Sequence, residues 1–316
     1  SMALIEQVRR FLIETEKSQK KPLVVILGPT ASGKTAFSLR LALEIDGEVI
    51  SADSRQIYRD MDIGTDKIAP DIRAKIPHHL IDIRDPDQSY SLSDFQRDTA
   101  RTIDDIHRRN KIPLLVGGTG LYISAIVQNY QLPEVPPDPN LRKELEAELE
   151  KEGPESLHKM LAELDPLAAS KIHPNNHRYL IRALEIVLTT KKPVAEQQKK
   201  RECPYEVFQI GIDWPTEQLF DRINRRVDEQ MKNQGLLDET AHLLAKYDKK
   251  LPSMTGLGYK QIIQYLEGEI TLDEAMELLK KETHDYARRQ RTWFKRDTSI
   301  YWVEGEGVAA EISRKA

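Results

Sequence analysis

The sequence predicts an α/β fold in which a parallel sheet is flanked by helices and carries a mostly helical insertion. The glycine-rich stretch at residues 28–35 lies between the apolar run of residues 23–27 and a segment with helical apolar spacing. Further strand patterns begin at Glu48 and cover residues 112–116. Residues 141–192 are helical in pattern, and strand character returns only after them. This succession indicates an α/β core interrupted by helices.

The glycine-rich stretch matches the G-x-x-x-x-G-K-[ST] pattern of a phosphate-binding loop. Its members are Gly28, Pro29, Thr30, Ala31, Ser32, Gly33, Lys34 and Thr35. Between a strand and a helix, such a loop directs backbone N–H groups at a phosphate chain, as in ATP-binding and other nucleotide-binding proteins. Lys34 is expected to contact the terminal phosphate oxygens, and Thr35 to ligate Mg²⁺. The fold class is therefore P-loop NTPase-like.

Composition limits the classes of protein that fit. The 316 residues are 39% hydrophobic and 31% charged, which is typical of a globular chain of one or two domains. No apolar run approaches the length of a membrane span, and the first 22 residues do not resemble a signal peptide. Cys203 is the only cysteine, which excludes an intrachain disulfide and a cysteine-based zinc site. We expect a cytoplasmic monomer that has no membrane partner. The net charge of -4 does not by itself indicate nucleic-acid binding, because local patches decide it.

Two polar residues are predicted at the carboxyl ends of strands, where ligands bind in an open α/β sheet. Asp53 follows the strand that begins at Glu48, so it is a candidate acid–base or Mg²⁺ group. A helix N-cap is the alternative for Asp53. Thr119 follows the strand of residues 112–116, within a glycine-rich turn, and an N-cap is again the alternative.

Two helices are predicted in the amino-terminal half of the chain, besides the one after the phosphate-binding loop. Residues 3–17 form an amphipathic pattern that favours a helix packed on the edge of the core. Residues 91–110 form the second, and Ser93 with Gln96 three residues later resembles a capping box at its start.

A proline-rich segment marks a domain boundary. Four prolines fall within residues 133–139, which is typical of a linker. We therefore predict a core made of residues 1–137 and 201–316, and a helical insertion at residues 138–200.

A pair of arginines lies four residues apart in the predicted helix that follows the insertion. Arg222 and Arg226 share one helix face. They would either clamp a diphosphate or form surface ion pairs with Asp221 and Glu229.

Residues 288–296 hold five basic residues, two aromatic residues and no acidic residue. Arg288, Arg291 and Lys295 follow the spacing of a single helix face. This face is the best local candidate for contacts with nucleic-acid phosphates, and a solvated basic surface is the alternative.

The motifs occur in an order that resembles the bacterial tRNA dimethylallyltransferases, also called tRNA isopentenyltransferases or IPP transferases. They are GPTASGKT, ADSRQIY, a tandem-histidine segment running into LIDIRDP, YSLSDF, LLVGGTGLY, RALEI, GLGYKQ and ARRQRTWFKR. Members of this family transfer a dimethylallyl group from dimethylallyl diphosphate to N6 of adenine 37 in tRNAs that read codons starting with U. The resemblance covers residues 22–302.

The resemblance implies a role for each matching residue. The loop at residues 28–35 would hold the diphosphate of the isoprenoid, with Mg²⁺ on Thr35, and Arg222 and Arg226 would lie near that diphosphate. Asp53 would be the general base, and Thr119 would lie beside the reaction channel. Residues implied to contact the tRNA anticodon stem-loop are Asp53, Ser54, Arg55, Gln56, Thr119, Arg142, Arg178, Arg182, Gly256, Gly258, Lys260, Gln261, Arg288, Arg289, Arg291, Trp293 and Lys295. Tyr179 departs from the pattern, since many relatives have a basic residue there.

Three other functions are compatible with the same motifs. A P-loop kinase for a small metabolite would need ATP. The sequence gives only a weak signal for the Walker B carboxylate that such a kinase has on a neighbouring strand. A non-catalytic RNA-binding protein would bind tRNA in a salt-sensitive manner without forming a product. Transfer of the prenyl group to free AMP, ADP or ATP is the remaining alternative, and the basic face and helical insertion favour a macromolecular acceptor over it.

Overall fold

A computed structural model describes residues 3–132, 135–194 and 200–313. The chain forms two compact units, Ser1–Val127 with Cys203–Ala316, and Gln128–Glu202. The second unit thus begins at Gln128, before the proline-rich segment, whereas the predicted insertion begins at residue 138. The amide of Arg201 donates to the carbonyl of Gln128 at 3.2 Å. Pro133, part of the predicted linker, lies outside the described residues.

The first unit contains a six-stranded sheet in which every pair of neighbouring strands is parallel. Its strands are β1 (Lys21–Leu27), β2 (Gly47–Ser51), β3 (His78–His79), β4 (Ile112–Gly117), β5 (Tyr205–Asp213) and β6 (Tyr301–Glu304). Their order is β3-β2-β4-β1-β5-β6, so β1 and the phosphate-binding loop lie near the centre. The predicted α/β class is confirmed, whereas the edge strand β6 was not predicted.

Helices connect the strands and fill the second unit. The first five are α1 (Leu4–Thr15), α2 (Lys34–Ile45), α3 (Pro70–Lys75), α4 (Leu92–Arg108) and α5 (Gly120–Val127). The second unit contains α6 (Pro139–Glu152), α7 (Pro154–Leu164), α8 (Pro166–Lys171) and α9 (His177–Thr190). The chain continues with α10 (Thr216–Glu229), α11 (Leu236–Lys246), α12 (Tyr259–Leu266), α13 (Leu272–Phe294) and α14 (Gly305–Ser313). Among the described residues, no helix is both long enough and apolar enough to cross a membrane.

The central strand is buried on both faces, which explains its continuous apolar run. Leu23, Val25 and Leu27 pack into a cluster with α4, α5 and α10–α13. Val24 and Ile26 pack into the opposite cluster with α1, α2 and α14. All five side chains are fully buried, and each contributes about 1.5–3 kcal/mol relative to exposure. This packing fixes the carboxyl ends of the strands, where the loops of the candidate site begin.

The start of α4 corrects one prediction. The N-cap is Ser91, whose hydroxyl accepts from the amide of Asp94, and the Asp94 carboxylate accepts from the amide of Ser91. The predicted cap, Ser93, lies within the first turn. The helix begins at Leu92, and Phe95 in its first turn is 1% exposed.

The second unit has its own core. Leucine side chains of α6, α7 and α9 meet in one buried cluster, as their helical spacing predicted. Glu185 is fully buried beside this cluster and accepts hydrogen bonds from Arg142 and Arg182. Burial opposes ionisation of Glu185, yet the hydrogen bonds, chiefly from Arg142, hold the pKa of the carboxyl below its usual range. The ion pairs therefore make a buried carboxylate tolerable within this unit.

Candidate active site at the carboxyl edge of the sheet

The phosphate-binding loop connects β1 to α2 in a conformation that its glycines allow. Gly33, the N-cap of α2, has a φ of 93°, a value that side chains with a Cβ rarely adopt. Gly28 lies so close to β5 that a Cβ there would collide with the carbonyl oxygen of Ile212. The loop is thus packed against the sheet and directed towards the positive end of α2.

Polar groups of the loop are arranged to receive a ligand. The Nζ of Lys34 lies back over the loop and donates to the carbonyl of Pro29 at 3.0 Å. The hydroxyl of Ser32 is buried and has no hydrogen-bond partner among the described residues. An unpartnered buried hydroxyl is costly unless a ligand or water completes its bonding. The loop therefore fits an anion with several oxygens.

The loop borders a cavity of about 570 Å³ that lies within the first unit. The cavity is also lined by Asp53, Tyr286 and Gln290, which come from β2's following loop and from α13. Thr35 lines it as well, so a hydroxyl and a carboxylate face the same space. This volume is in the range of small-ligand sites.

Asp53 lies at the carboxyl end of β2, as predicted. Its Oδ1 accepts from the amides of Arg55 at 2.8 Å and Gln56 at 3.3 Å. The capping alternative is therefore partly right, although the carboxylate caps a turn and not a helix. The second oxygen, Oδ2, accepts no hydrogen bond from the described residues, so the same side chain can act towards the cavity.

Thr119 ties the loop after β4 to the loop after β2. Its Oγ1 accepts from the amide of Ser54 at 3.1 Å, directly beside Asp53. The same hydroxyl donates to the hydroxyl of Ser54 at 3.5 Å, and Tyr286 of α13 lies beside it. Burial raises the pKa of Tyr286 to about 12, so the phenol remains protonated and can donate. Thr119 precedes α5, but its side chain joins loops instead of capping that helix.

Lys34 is the most perturbed cation in the cavity. Burial and the neighbouring Arg226 lower its pKa to about 8, against the opposing influence of Asp53 and Asp66. Arg226 itself pairs with Asp66 at 3.4 Å. Lys34 is therefore a cation that is close to losing its proton, and an anion bound beside it would favour the protonated form.

This pKa predicts a pH dependence of anion binding. At pH 7 Lys34 is protonated, whereas at pH 9 about nine-tenths of it is neutral. Between these pH values the affinity for inorganic diphosphate should fall by up to about tenfold more in the wild type than in Lys34→Met. Isothermal titration at both pH values measures the difference. Equal pH dependence in the two proteins would contradict the assignment to Lys34.

Arg222 and Arg226 both approach the loop, so the predicted alternative of pairing with Asp221 and Glu229 is wrong. The Nε of Arg222 donates to the carbonyl of Ala31 at 2.8 Å. Its guanidinium lies 4.2 Å from the ring centre of Trp214, whose indole donates to the carbonyl of Ser32. Arg222 thus supports the loop, and Arg226 adds charge beside Lys34.

The carboxyl-terminal end of α13 corrects the predicted basic face. Arg291 donates to Asp213, to Thr216 and to the carbonyl of Trp214, and its side chain is 16% exposed. The indole of Trp293 donates to Ser124 at 3.1 Å and packs over Gly120. These two side chains are therefore engaged within the first unit, and their contacts with tRNA stay predictions.

Other members of that face remain accessible. Arg288, Arg289 and Lys295 are exposed, and they make cation–π contacts with Phe220, Tyr286 and Trp302 respectively. Arg288 also pairs with Asp285 at 2.7 Å. The exposed part of the face is smaller than its helical spacing indicates.

The difference between Arg291 and Arg288 predicts different effects on stability. Arg291→Ala should lower the free energy of unfolding by ~2–3 kcal/mol, because the partly buried Asp213 loses its closest cation. Arg288→Ala should change it by no more than about 0.5 kcal/mol, because its ion pair is exposed. Urea unfolding of both variants makes the comparison. Equal losses would show that Arg291 is not an internal anchor.

The GLGYKQ segment is partly enclosed. Gln261 is fully buried, and its amide accepts from the amide of Gly258 and donates to Glu282. This corrects the prediction that Gln261 contacts tRNA. Arg55 is held over the segment, since its guanidinium donates to the carbonyl of Leu257. Gly256 is half-buried and Lys260 is exposed, so they remain predictions.

Within the second unit, the three predicted arginines differ in availability. Arg178 is exposed. Arg142 and Arg182 pair with Glu185, although their side chains are still 39% and 34% exposed. Their proposed contacts with tRNA stay predictions.

Comparison with known proteins decides the family. An IPP transferase model matches residues 56–297, and an isopentenyl transferase model matches residues 21–73. The chain belongs to the IPP transferase family. Its curated relatives include the tRNA dimethylallyltransferase of Roseiflexus sp., which is 51% identical over 296 residues, 93% of this chain and 96% of the relative. That of Thermomicrobium roseum is 46% identical over 91% of this chain and 87% of its own.

Solved structures of the family agree with this. A tRNA isopentenylpyrophosphate transferase from Bacillus halodurans matches with a TM-score of 0.68 and 42% identity, covering 93% of this chain and 95% of that one. A eukaryotic dimethylallyltransferase described as acting on tRNA matches with a TM-score of 0.73 and 30% identity, covering 90% and 74%. The family resemblance predicted from the short motifs is confirmed.

Some residues of this IPP transferase site were not found by sequence reasoning. Tyr286 and Gln290 both line the cavity, and they lie on one face of α13 four residues apart. That spacing could have predicted that both side chains face the same site, but the adjacent arginines favoured a nucleic-acid surface. Asp66, the partner of Arg226, carried no motif signal.

Proposed function

We propose that the chain transfers a dimethylallyl group from dimethylallyl diphosphate to N6 of adenine 37 in tRNAs that read codons starting with U. The products are N6-dimethylallyladenosine and diphosphate. The observation that carries this proposal is that Asp53 lines the same cavity as the phosphate-binding loop, with an Oδ2 that accepts no hydrogen bond from the described residues. Membership of the IPP transferase family and relatives named tRNA dimethylallyltransferase support it.

The loop stabilises the leaving group. In the transfer, the bond between the allylic carbon and the diphosphate oxygen breaks while the bond from N6 to that carbon forms. Negative charge develops on the departing diphosphate, next to Lys34, the hydroxyl of Ser32 and the amides at the start of α2. Donors that are fixed before the reaction stabilise such charge without reorganising. Arg226 adds a second cation beside Lys34.

Asp53 is positioned as the general base. The exocyclic amine of adenine is a weak nucleophile, and it becomes competent as its proton moves to Asp53 Oδ2. Because Oδ1 is held by the amides of Arg55 and Gln56, the carboxylate presents Oδ2 in a fixed direction. Such a base contributes ~10²–10⁴-fold to the rate. The adenine must leave its stack to enter the cavity. The free-energy cost of unstacking is lower in an unpaired anticodon loop than in a duplex.

The donor set fits Mg²⁺. The Thr35 hydroxyl and the Asp53 carboxylate line one cavity, and hard oxygen donors together with diphosphate oxygens are what Mg²⁺ prefers. Thr35 is the residue proposed to hold the ion. When bound, Mg²⁺ would neutralise charge on the leaving diphosphate.

We propose that the anticodon stem-loop contacts exposed basic residues of each unit. Arg288, Arg289, Lys295 and Lys260 are exposed in the first unit, as is Arg178 in the second. Contacts of this kind neutralise phosphates and weaken as salt rises. A tRNA acceptor agrees with a cytoplasmic location, and we propose that the chain works as a monomer.

Ligand titration separates this function from the alternatives. Isothermal titration with Mg²⁺ should give tighter binding of dimethylallyl diphosphate than of ATP, whereas a kinase would prefer ATP. Excess AMP should not reduce the rate of tRNA modification if the acceptor is macromolecular. Preference for ATP, or competition by free AMP at equal concentration, would overturn the proposal.

A further inference from the structure

The side chain of Gln290 bridges two loops of the site. Its Oε1 accepts from the amide of Thr30 at 2.9 Å, and its Nε2 donates to the carbonyl of Gly118 at 3.0 Å. Thr30 belongs to the phosphate-binding loop after β1, and Gly118 to the loop after β4. Gln290 is 7% exposed, so both hydrogen bonds are shielded from water.

The loop after β4 packs tightly against this amide. A Cβ on Gly118 would overlap the Nε2 of Gln290, so the loop after β4 approaches the amide as closely as a glycine permits. Arg291 and Trp293 anchor the same end of α13 to Asp213 and Ser124. The amide is thus held by a fixed helix and does not simply follow the loops it contacts.

The bridge is continuous with the proposed base. Thr119 directly follows Gly118, and its hydroxyl accepts from the amide of Ser54. Ser54 in turn directly follows Asp53 in the sequence. The chain of contacts from Thr30 through Gln290 to Asp53 therefore links the group that holds the diphosphate to the group that receives the proton.

We propose that Gln290 is a positioning residue that sets the distance between the diphosphate and the acceptor amine. It acts by fixing Gly118, and hence Thr119 and Asp53, relative to the phosphate-binding loop. This inference rests on the proposed prenyl transfer for its kinetic consequences. Its structural consequence, a coupling between the two loops, does not depend on the reaction.

Two substitutions separate the halves of the bridge. Gln290→Glu keeps the shape and an acceptor for Thr30, but an ionised carboxylate cannot donate to Gly118. Gln290→Met removes both hydrogen bonds and adds no charge. Gln218→Glu is the matched control, because Gln218 is exposed on α10.

Steady-state kinetics test whether Gln290 acts through Thr119. Gln290→Glu should lower kcat by about 10- to 100-fold while the KM for dimethylallyl diphosphate changes less than about threefold. In a Thr119→Ala background the same change should lower kcat by less than about threefold, because the positioned group is already absent. Equal fractional losses in both backgrounds, or a loss confined to KM, would overturn the proposal. Gln290→Met should also lower kcat less in the Thr119→Ala background than in the wild type. This second variant keeps the test valid if Gln290→Glu does not fold.

Hydrogen exchange provides a readout that is independent of activity. In Gln290→Met, amide exchange should quicken in the peptides that contain residues 29–33 and 117–120, and stay unchanged elsewhere in the sheet. Unchanged exchange in both peptides, or a uniform increase across the first unit, would overturn the proposal. Absence of prenyl transfer by the wild type would instead contradict the proposed function and leave this exchange test standing.

Discussion

Lys34→Met should lower the rate of prenyl transfer by ~10²–10³-fold at saturating tRNA and donor. Lys34 supplies a buried cation at the loop, and methionine has a similar length without the charge. The charge on the departing diphosphate would then lose its nearest side-chain donor. Single-turnover measurement isolates the chemical step from product release.

The control for this variant is Lys281→Met, because Lys281 is exposed on α13. It removes the same charge from the protein without changing the cavity. Lys34→Met with a rate within threefold of the wild type would mean that the loop does not stabilise the leaving group.

Asp53→Asn should lower kcat by ~10²–10⁴-fold while tRNA and donor still bind. The asparagine Oδ1 can keep accepting from the amides of Arg55 and Gln56, so the turn is preserved while the base is lost. Rapid-quench kinetics and filter binding of tRNA measure the two effects separately.

Two further variants sharpen this test. Asp53→Ala should lower activity and also loosen the turn, so its tRNA affinity should fall more than that of Asp53→Asn. Asp60→Asn is the matched control, since Asp60 is exposed and has a φ of 67°, which asparagine tolerates. Normal turnover by Asp53→Asn would remove Asp53 from the role of general base.

Much of the core could be predicted because its signals are local. The apolar run before Gly28, the glycine pattern and the helical spacing after Thr35 are all contained in one segment. Asp53 and Thr119 could be placed because parallel strands present their carboxyl ends at one edge. The edge strand β6 was missed because Tyr301–Glu304 is short and its residues are exposed or only partly buried.

Errors arose where the partner comes from a distant segment. Helical spacing correctly puts Arg288 and Arg291 on neighbouring positions of α13, but it cannot show that the end of β5 covers Arg291. The same holds for Gln261, whose amide is used inside the protein. At α4, Ser91 and Ser93 each precede a polar residue by three positions, and the reciprocal capping hydrogen bonds form between Ser91 and Asp94.

Arg291 and Trp293 hold α13 against the rest of the first unit. The stretch that resembled a nucleic-acid surface is divided between exposed cations and side chains that anchor the helix. Gln290 immediately precedes Arg291, and its side chain is hydrogen-bonded to the phosphate-binding loop and to the loop after β4. The helix therefore lines the proposed active site, and its exposed residues Arg288 and Arg289 are the ones proposed to contact RNA.

The central claim is that the phosphate-binding loop holds the leaving group of a prenyl transfer whose nucleophile is a tRNA adenine. The most direct test is incubation with dimethylallyl diphosphate labelled in the prenyl group, Mg²⁺ and unmodified tRNA, followed by nucleoside analysis. We expect label on N6 of adenosine 37, together with one equivalent of released diphosphate. Label on free nucleotides only, or phosphate transferred from ATP with no labelled nucleoside, would contradict the claim.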